Sequence, residues 1–457
     1  MIIELSLPAE KRQNTLDIDK TISFILEHAE ADGAHLLLSA FRYPEIDMAR
    51  AVSSIEARKK VVSKIPLWHT YPELVYPTSL SLEQCSSQAT AEYKMRFVAE
   101  NSTVADLTGG LGVDCSFIAR RATKCLYIER DRKLCEAALH NFKVLGLENI
   151  IVENGDCREF LDMATGANND LSEINEKFSD ATEGLLETSE DFSIKDAALT
   201  NADAERETHF DLIYLDPARR SKSSGRVFSI RECEPDLLHL SEALLKAADR
   251  VLVKLSPMVD ITAALREVPC VREVHILSTD NECKELLLLM SGSEALPAPE
   301  DIPIHAVDLT RRKENRFTFT LNEEKSAQCP IATPKTYLYQ PGRAILKAGA
   351  FRLPCSRFGI DKIAPSTHLY TSDRRIEDFP GKSFRIKEII PFKKEGIRSL
   401  AREYPLLNCV ALNFPLDTNA LKQRLKVSDG GNLHLFATTL ASGEKVMIIS
   451  EPLSSTF

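Results

Sequence analysis

Val104-Ala-Asp-Leu-Thr-Gly-Gly-Leu-Gly-Val-Asp114 sets a glycine-rich turn directly between a short apolar run and an amphipathic segment. Val104 to Leu107 reads as a buried strand, and the helix after the turn runs through Cys115 to Arg121. Glycines at 109, 110 and 112 let a backbone come close to a ligand held over the carboxyl ends of parallel strands. Their G-G-x-G spacing is not the G-x-G-x-x-G of dinucleotide sites, and Asp106 would repel a pyrophosphate.

Working outward, the same rhythm repeats. Lys124 to Ile128 is a strand that ends in Glu129, Arg132 to Leu145 a helix, and Asn149 to Val152 a strand that leads to Asp156. Phe210 to Leu215 is a strand followed by Asp216-Pro217-Ala218-Arg219. A helix over Pro235 to Ala248, with proline in its first turn, and strands over Arg250 to Leu255, Val271 to Leu277 and Leu286 to Met290 complete the pattern. Alternating strands and helices, then two strands close together, predict an α/β fold with a mainly parallel sheet and an antiparallel edge. Asp106, Glu129, Asp156 and Asp216 then all sit at strand ends on one level. There Glu129 can accept hydrogen bonds from both hydroxyls of a ribose, and Asp156 from an exocyclic amine of adenine.

Residues 1–85 read as helical, with Asp17 to Glu30 and Ile46 to Lys64 apolar at three- and four-residue spacing, before prolines 66, 72 and 77. Residues 161–208 hold thirteen acidic and three basic residues with poor periodicity, which predicts an insertion or mobile loop. Prolines 297, 299 and 303 mark a linker. Beyond it we expect a strand at Phe317 to Leu321, one basic helix over Gly342 to Phe358 and a strand at Ser383 to Ile390. A helix (Glu395 to Glu403), a strand (Cys409 to Asn413), a helix (Asp417 to Lys426) and a hairpin turning at Ala441-Ser442-Gly443 close the chain. The expected domains are an N-terminal helical region (1–85), a catalytic α/β domain (86–293), a linker with a small α+β, ferredoxin-like subdomain (294–383), and a terminal α+β domain (384–457).

The 457 residues carry a net charge of −10, which belongs to the acidic segment. Residues 341–426 hold seventeen Lys/Arg against eight Asp/Glu, a balance that can attract a polyanion. A second basic run, Arg219, Arg220, Lys222, Arg226 and Arg231, follows the Asp-Pro motif without an acid among them. Eleven dispersed cysteines without a Cys-x-x-Cys pair predict neither a disulfide framework nor a metal site, and point to a reducing cytoplasm. No apolar run approaches the ~20 residues of a membrane span, and Met1-Ile2-Ile3-Glu4 is not a signal peptide opening.

The glycine loop, the ribose-side acid, the adenine-side acid and the Asp-Pro after the fourth strand together resemble class I S-adenosylmethionine-dependent methyltransferases over about residues 86–293. Glu83-Gln-Cys-Ser-Ser-Gln-Ala-Thr-Ala-Glu-Tyr-Lys94, the loop itself and Tyr214-Leu-Asp-Pro-Ala-Arg-Arg220 resemble an uncharacterised bacterial family of these enzymes. The end of the chain, with Asn413-Phe-Pro, Leu421 to Lys426 and Leu435 to Leu440, is similar to that family's THUMP-like C-terminal domain. The resemblance implies a Rossmann-like sheet. It also implies S-adenosylmethionine held by Asp106, Thr108, Gly109, Gly110, Gly112, Asp114, Glu129 and Asp156, and, through the THUMP-like domain, an RNA substrate (tRNA or rRNA).

Methyltransferases of exocyclic base amines use an Asn/Asp-Pro-Pro motif and an aromatic, the first residue turning the amine lone pair toward the methyl group. Here Asp216 would orient the acceptor, Pro217 would fix the loop, and Arg219 would stand where the aromatic is missing, stacking on a base or gripping a phosphate. Methylation at C5 of uridine needs a cysteine after the fifth strand. Lys254-Leu-Ser-Pro257 has Leu255 in that place, which excludes that mechanism. Methyl transfer to a small molecule or protein, and a non-catalytic RNA-binding module that keeps a cofactor pocket, are the competing expectations.

Overall fold

A computed structural model describes residues 20–165, 209–219, 230–292, 295–310 and 314–453. The acidic stretch from 166 to 208 and the basic run from 220 to 229 lie outside the described residues. The chain divides into one unit of residues 1–271 and 287–296 and a second of 272–286 and 297–457.

The first unit is built on parallel strands. In chain order come helix α1 (Met48–Lys64), α2 (Gln88–Lys94), strand β1 (Thr103–Asp106), α3 (Val113–Ile118), β2 (Lys124–Glu129), α4 (Arg132–Val144), β3 (Ile150–Asn154), α5 (Cys157–Ala164) and β4 (Phe210–Leu215). Then follow the two-residue strands β5 (Ala218–Arg219) and β6 (Cys233–Glu234), α6 (Leu237–Ala247), β7 (Ala248–Leu255) and α7 (Ile261–Glu267). β1 pairs in parallel with both β2 and β4, β2 with β3, and β4 with β7, so the order runs β3-β2-β1-β4-β7. The order reverses between β1 and β4, which opens a crevice at their carboxyl ends. Val104, Ala105, Leu212, Ile213, Val251, Leu252 and Val253 are fully buried, as strands covered on both faces require.

Several boundaries differ from the sequence reading for local reasons. α5 continues to Ala164 because Leu161 is buried beneath it, so the acidic insertion begins later than residue 161. Pro235 precedes the helix and does not sit in its first turn; Asp236 caps α6 by accepting from the amides of Leu238 and His239. The N-terminal helices pack into two cores: Phe24, Ile25, Leu36, Met48, Ala51 and Ile55 form one of their own, while Ala57, Val61, Ile65, Trp68 and Tyr76 pack with Leu111, Val113 and Phe117 of the glycine loop and the helix after it. Among the described residues, no helix is long and apolar enough to cross a membrane.

The second unit holds most of β8 (Val271–Thr279) and the first half of β9 (Glu282–Met290), joined by Asp280 and Asn281. Both turn residues have positive φ, 50° and 62°, as a two-residue hairpin turn demands. β10 (Ile304–Leu309) and β11 (Glu314–Phe319) follow. β10 pairs in parallel with β8 and antiparallel with β11, so the proline-rich stretch expected as a linker leads into a paired strand.

Next come β12 (Tyr337–Pro341), α8 (Arg343–Ala348), α9 (Leu353–Phe358), β13 (Asp361–Ala364), β14 (Thr367–Ser372), β15 (Gly381–Pro391), α10 (Lys394–Glu403), β16 (Asn408–Leu412), α11 (Thr418–Leu425), β17 (His434–Thr439) and β18 (Lys445–Pro452). The single basic helix expected over 342–358 is two, because Gly349 turns left-handed at φ 83° and ends α8. The seven strands form one sheet in the order β13-β14-β12-β15-β18-β17-β16. Alternate residues enter different cores: Leu435, Ala437, Met447 and Ile449 pack with α10 and α11, Phe436, Val446 and Ile448 with Leu338 and Phe384.

One buried amide ties the N-terminal segment to the sheet. Asn141 on α4 accepts from the amide of Val75 and donates to its carbonyl, both at 2.9 Å. Asn141→Ala leaves two buried backbone groups unpaired, so urea unfolding should show a loss of about 2–4 kcal/mol. A loss below about 1 kcal/mol would mean that the segment is not part of the cooperative unit.

Candidate functional site

The loop after β1 keeps its shape through contacts that only glycine permits. A Cβ on Gly109 would stand 2.1 Å from the Tyr127 ring, and one on Gly112, at φ 80°, would meet Phe142 at 2.8 Å. The Tyr127 hydroxyl donates to the Gly110 carbonyl at 2.6 Å, and the Gly110 amide donates to Glu129 Oε2 at 2.9 Å. Glu129 Oε1 accepts from the amide of Asp131. A carboxylate has about four acceptor positions, so two amides leave Glu129 able to take further donors.

Thr108 joins this loop to the Asp-Pro segment. The Asp216 amide donates to Thr108 Oγ1 at 2.6 Å, while the Thr108 amide donates to Asp106 Oδ1 at 3.1 Å. Burial pushes the Asp106 carboxyl well above the ordinary range, and Asp114, Asp216 and Glu129 nearby raise it further. Asp216 is one-third exposed and its Oδ2 lies 2.5 Å from Lys254 Nζ. Burial raises its pKa more than Lys254 lowers it. Pro217 is buried, and Ala218–Arg219 pairs antiparallel with Cys233–Glu234, which fixes the backbone path after Asp216.

Two of the expected ligand-holding acids, Asp114 and Asp156, have protein partners of their own. Asp114 is buried, with Lys94 Nζ at 2.9 Å from Oδ1 and the hydroxyls of Ser86 and Tyr214 donating to Oδ2 at 2.7 Å. Burial alone would raise its pKa; Lys94 and Lys254 overcome that and hold it at about 2. Lys94 also donates to Ser86 Oγ at 2.9 Å, and Lys254 reaches the same oxygen at 3.4 Å. Asp156 caps α5 and is gripped by Arg158 through Nε at 2.9 Å and a terminal nitrogen at 2.7 Å, which lowers its pKa to about 2. Arg158 and Arg130 also face Glu234, at 3.5 and 3.7 Å.

The structure thus gathers Asp106, Thr108, Gly109, Gly110, Gly112, Glu129 and Asp216 around the crevice, with Asp114 beneath it and Asp156 at the end of β3. Sequence reasoning misses Ser86, Lys94, Tyr214 and Lys254 as members of the site. A lysine inside an apolar strand, Val251-Leu-Val-Lys-Leu255, is the available signal, since such a charge needs a buried partner. Lys94→Met strands the Asp114 carboxylate and should cost about 3–5 kcal/mol. Because the folded pKa of Asp114 lies below its unfolded value of about 3.9, the stability it contributes is present above pH 4 and lost as pH falls toward 2. Asp114→Asn should remove that part of the acid slope in thermal melts; an unchanged slope would show that the network does not hold the ionised form.

A family model for a ferredoxin-like domain matches residues 337–380, and one for a THUMP domain-like region matches 381–452. A solved structure described as "putative methyltransferase", from Porphyromonas gingivalis W83, is 34% identical, with 96% of this chain and 98% of that one covered at a TM-score of 0.81. A tRNA m1G37 methyltransferase from M. jannaschii is 14% identical (49% of this chain, 54% of that one, TM-score 0.27). An rRNA methylase from Streptococcus thermophilus is 13% identical (45% and 95%, TM-score 0.26). Both of these likenesses are too slight to bear on the chemistry of this chain. No curated protein matches it. With a near full-length relative at this identity, a parallel sheet with its glycine loop at the switch point, and the terminal domain match, the chain belongs to the methyltransferase family that ends in a THUMP-like domain.

Proposed function

We propose that this protein transfers a methyl group from S-adenosylmethionine to a base nitrogen of tRNA or rRNA. One observation carries the reading: the Thr108 hydroxyl bonds the Asp216 amide, so the glycine loop and the Asp-Pro segment are a single hydrogen-bonded edge of one crevice. Bound S-adenosylmethionine would supply a methyl group already activated by its sulfonium, which leaves alignment and water exclusion to the protein.

Glu129 is the residue for the ribose hydroxyls, with acceptor capacity beyond the two amides it already holds. Asp106 and the Gly109, Gly110 and Gly112 backbone line the approach, and Asp156 closes the adenine side from the end of β3. Asp114 acts through the loop, anchoring α3 from beneath. Asp216 accepts from the acceptor amine with the oxygen that Lys254 does not hold, and its raised pKa makes it a better proton acceptor than an ordinary carboxylate. Arg219, two residues beyond Pro217, is assigned to the base or its phosphate. Residues 86–293 are the catalytic part and 384–457 the RNA-holding part, in a cytoplasmic setting. On β15 and at the start of α10, Arg385, Lys387, Lys393 and Lys394 are all exposed and fit the RNA backbone.

Glu129→Ala should weaken S-adenosylmethionine by about 1.5–3 kcal/mol in calorimetry, since charged hydrogen bonds are the strong ones. Unchanged affinity in a folded variant removes Glu129 from the site. Asp216→Ala should abolish methyl transfer, read by nucleoside mass spectrometry of treated RNA, with RNA and cofactor affinity kept. Neutralising Arg385, Lys387, Lys393 and Lys394 should weaken RNA binding and flatten its salt dependence by about 0.7–0.9 per true phosphate contact, with turnover at saturating RNA kept. Equal loss of binding in both variants would favour a small-molecule substrate.

A further inference from the structure

The second unit contains a cluster of side chains that the methyl-transfer reading does not use. Glu273 and His275 are two apart on β8 and so share a face, and His305 on β10 is the register partner of His275. The imidazoles stack with centroids 4.4 Å apart at 22°. Glu273 Oε2 lies 2.9 Å from His275 Nε2 and 3.5 Å from His305 Nε2, and one donor atom from each of the three residues falls within 4.8 Å of the others.

We propose that Glu273, His275 and His305 form a binding site for a divalent transition-metal ion, zinc by the chemistry of the donors. Two imidazoles and one carboxylate are a recurring set for zinc, which takes four ligands at about 2.0–2.2 Å. Tetrahedral bonds of that length separate neighbouring donors by about 3.3 Å, and the two carboxylate–imidazole separations here, 2.9 and 3.5 Å, bracket that value. Three protein ligands leave the fourth position to water or a further ligand.

The surroundings suit the same reading. His305 Nδ1 lies 2.9 Å from the hydroxyl of Thr318, its register partner on β11. A proton on Nδ1 donated to that hydroxyl leaves the Nε2 lone pair for the ion, as the outer hydrogen bond of a metal-bound histidine does. The three residues grade from buried to open, with side chains 2% exposed at His275, 13% at His305 and 39% at Glu273, so an ion can enter on the glutamate side. Arg316, the positive charge felt from β11, is neutralised by Glu314 at 2.9 Å. No short Cys/His spacing announces the site, because thirty residues separate His275 from His305 and only strand pairing brings them together.

The test is titration of the chelator-treated full-length protein with Zn²⁺ alone, followed by Co²⁺ absorption spectroscopy, which tells imidazole and carboxylate ligands from thiolates. One zinc per chain and cobalt bands without a thiolate charge-transfer band are expected. His305→Ala and, at the more exposed position, Glu273→Gln should each lower zinc affinity by at least about 100-fold, and Thr318→Val by about 10-fold. Circular dichroism of the metal-free variants shows that they are folded. Absence of stoichiometric zinc binding, zinc binding that survives both ligand substitutions, or a thiolate band that assigns the ion to the cysteines would each overturn the proposal. None of these outcomes depends on methyl transfer.

Discussion

Two lysines that the fold takes almost entirely out of water set the constraint on which the first unit depends. Lys94 is fully buried and Lys254 nearly so, and an ammonium in that position must be met by carboxylates and hydroxyls or it will not stay charged. Asp114, Asp216, Ser86 and Tyr214 meet them. In doing so they join α2, α3, β4, β7 and the segment after β4. The N-terminal helices, the glycine loop and the Asp-Pro segment therefore hold a common geometry. Replacing such a network by apolar groups could be neutral for stability, so its retention is better understood as positioning of charge than as folding energy.

The crevice above this network divides its carboxylates by environment. Asp114 and Asp156 are held ionised by their cationic partners, whereas burial disfavours the charge at Asp106 and, despite Lys254, at Asp216. The first pair caps or anchors helices; the second is tied to Thr108 of the glycine loop, Asp106 through its carboxylate and Asp216 through its amide. Groups with raised carboxyl pKa cost stability at neutral pH, and such costs collect where chemistry is done. Glu129 shapes the loop through the Gly110 amide and has acceptor positions beyond the two amides it holds.

In the second unit the constraint is alternation. The central strands of the seven-stranded sheet bury both faces, so β17 and β18 read as apolar runs and α10 and α11 cover one side. The exposed residues of β15 and α10 are left to carry the positive charge. The parallel pairing of β10 with β8 places His305 beside His275, a pairing invisible in one dimension.

The amino-acid sequence by itself determined the first unit's alternation of strands and helices, the turn after β1, and the acids at the strand ends. Each of these is local: apolar runs, glycines and a carboxylate in the next position. Its limits were local as well. Prolines around residue 300 hid β10, and continuous helix-forming composition concealed the break at Gly349. Only the tertiary structure decided which of the acids are spoken for. Whether Asp114 faces a ligand or Lys94 depends on groups twenty and a hundred residues away in the chain, and hydrogen-bond partners at that distance leave no periodic trace. The same holds for the histidines of the second unit, whose meeting is set by strand register and not by spacing.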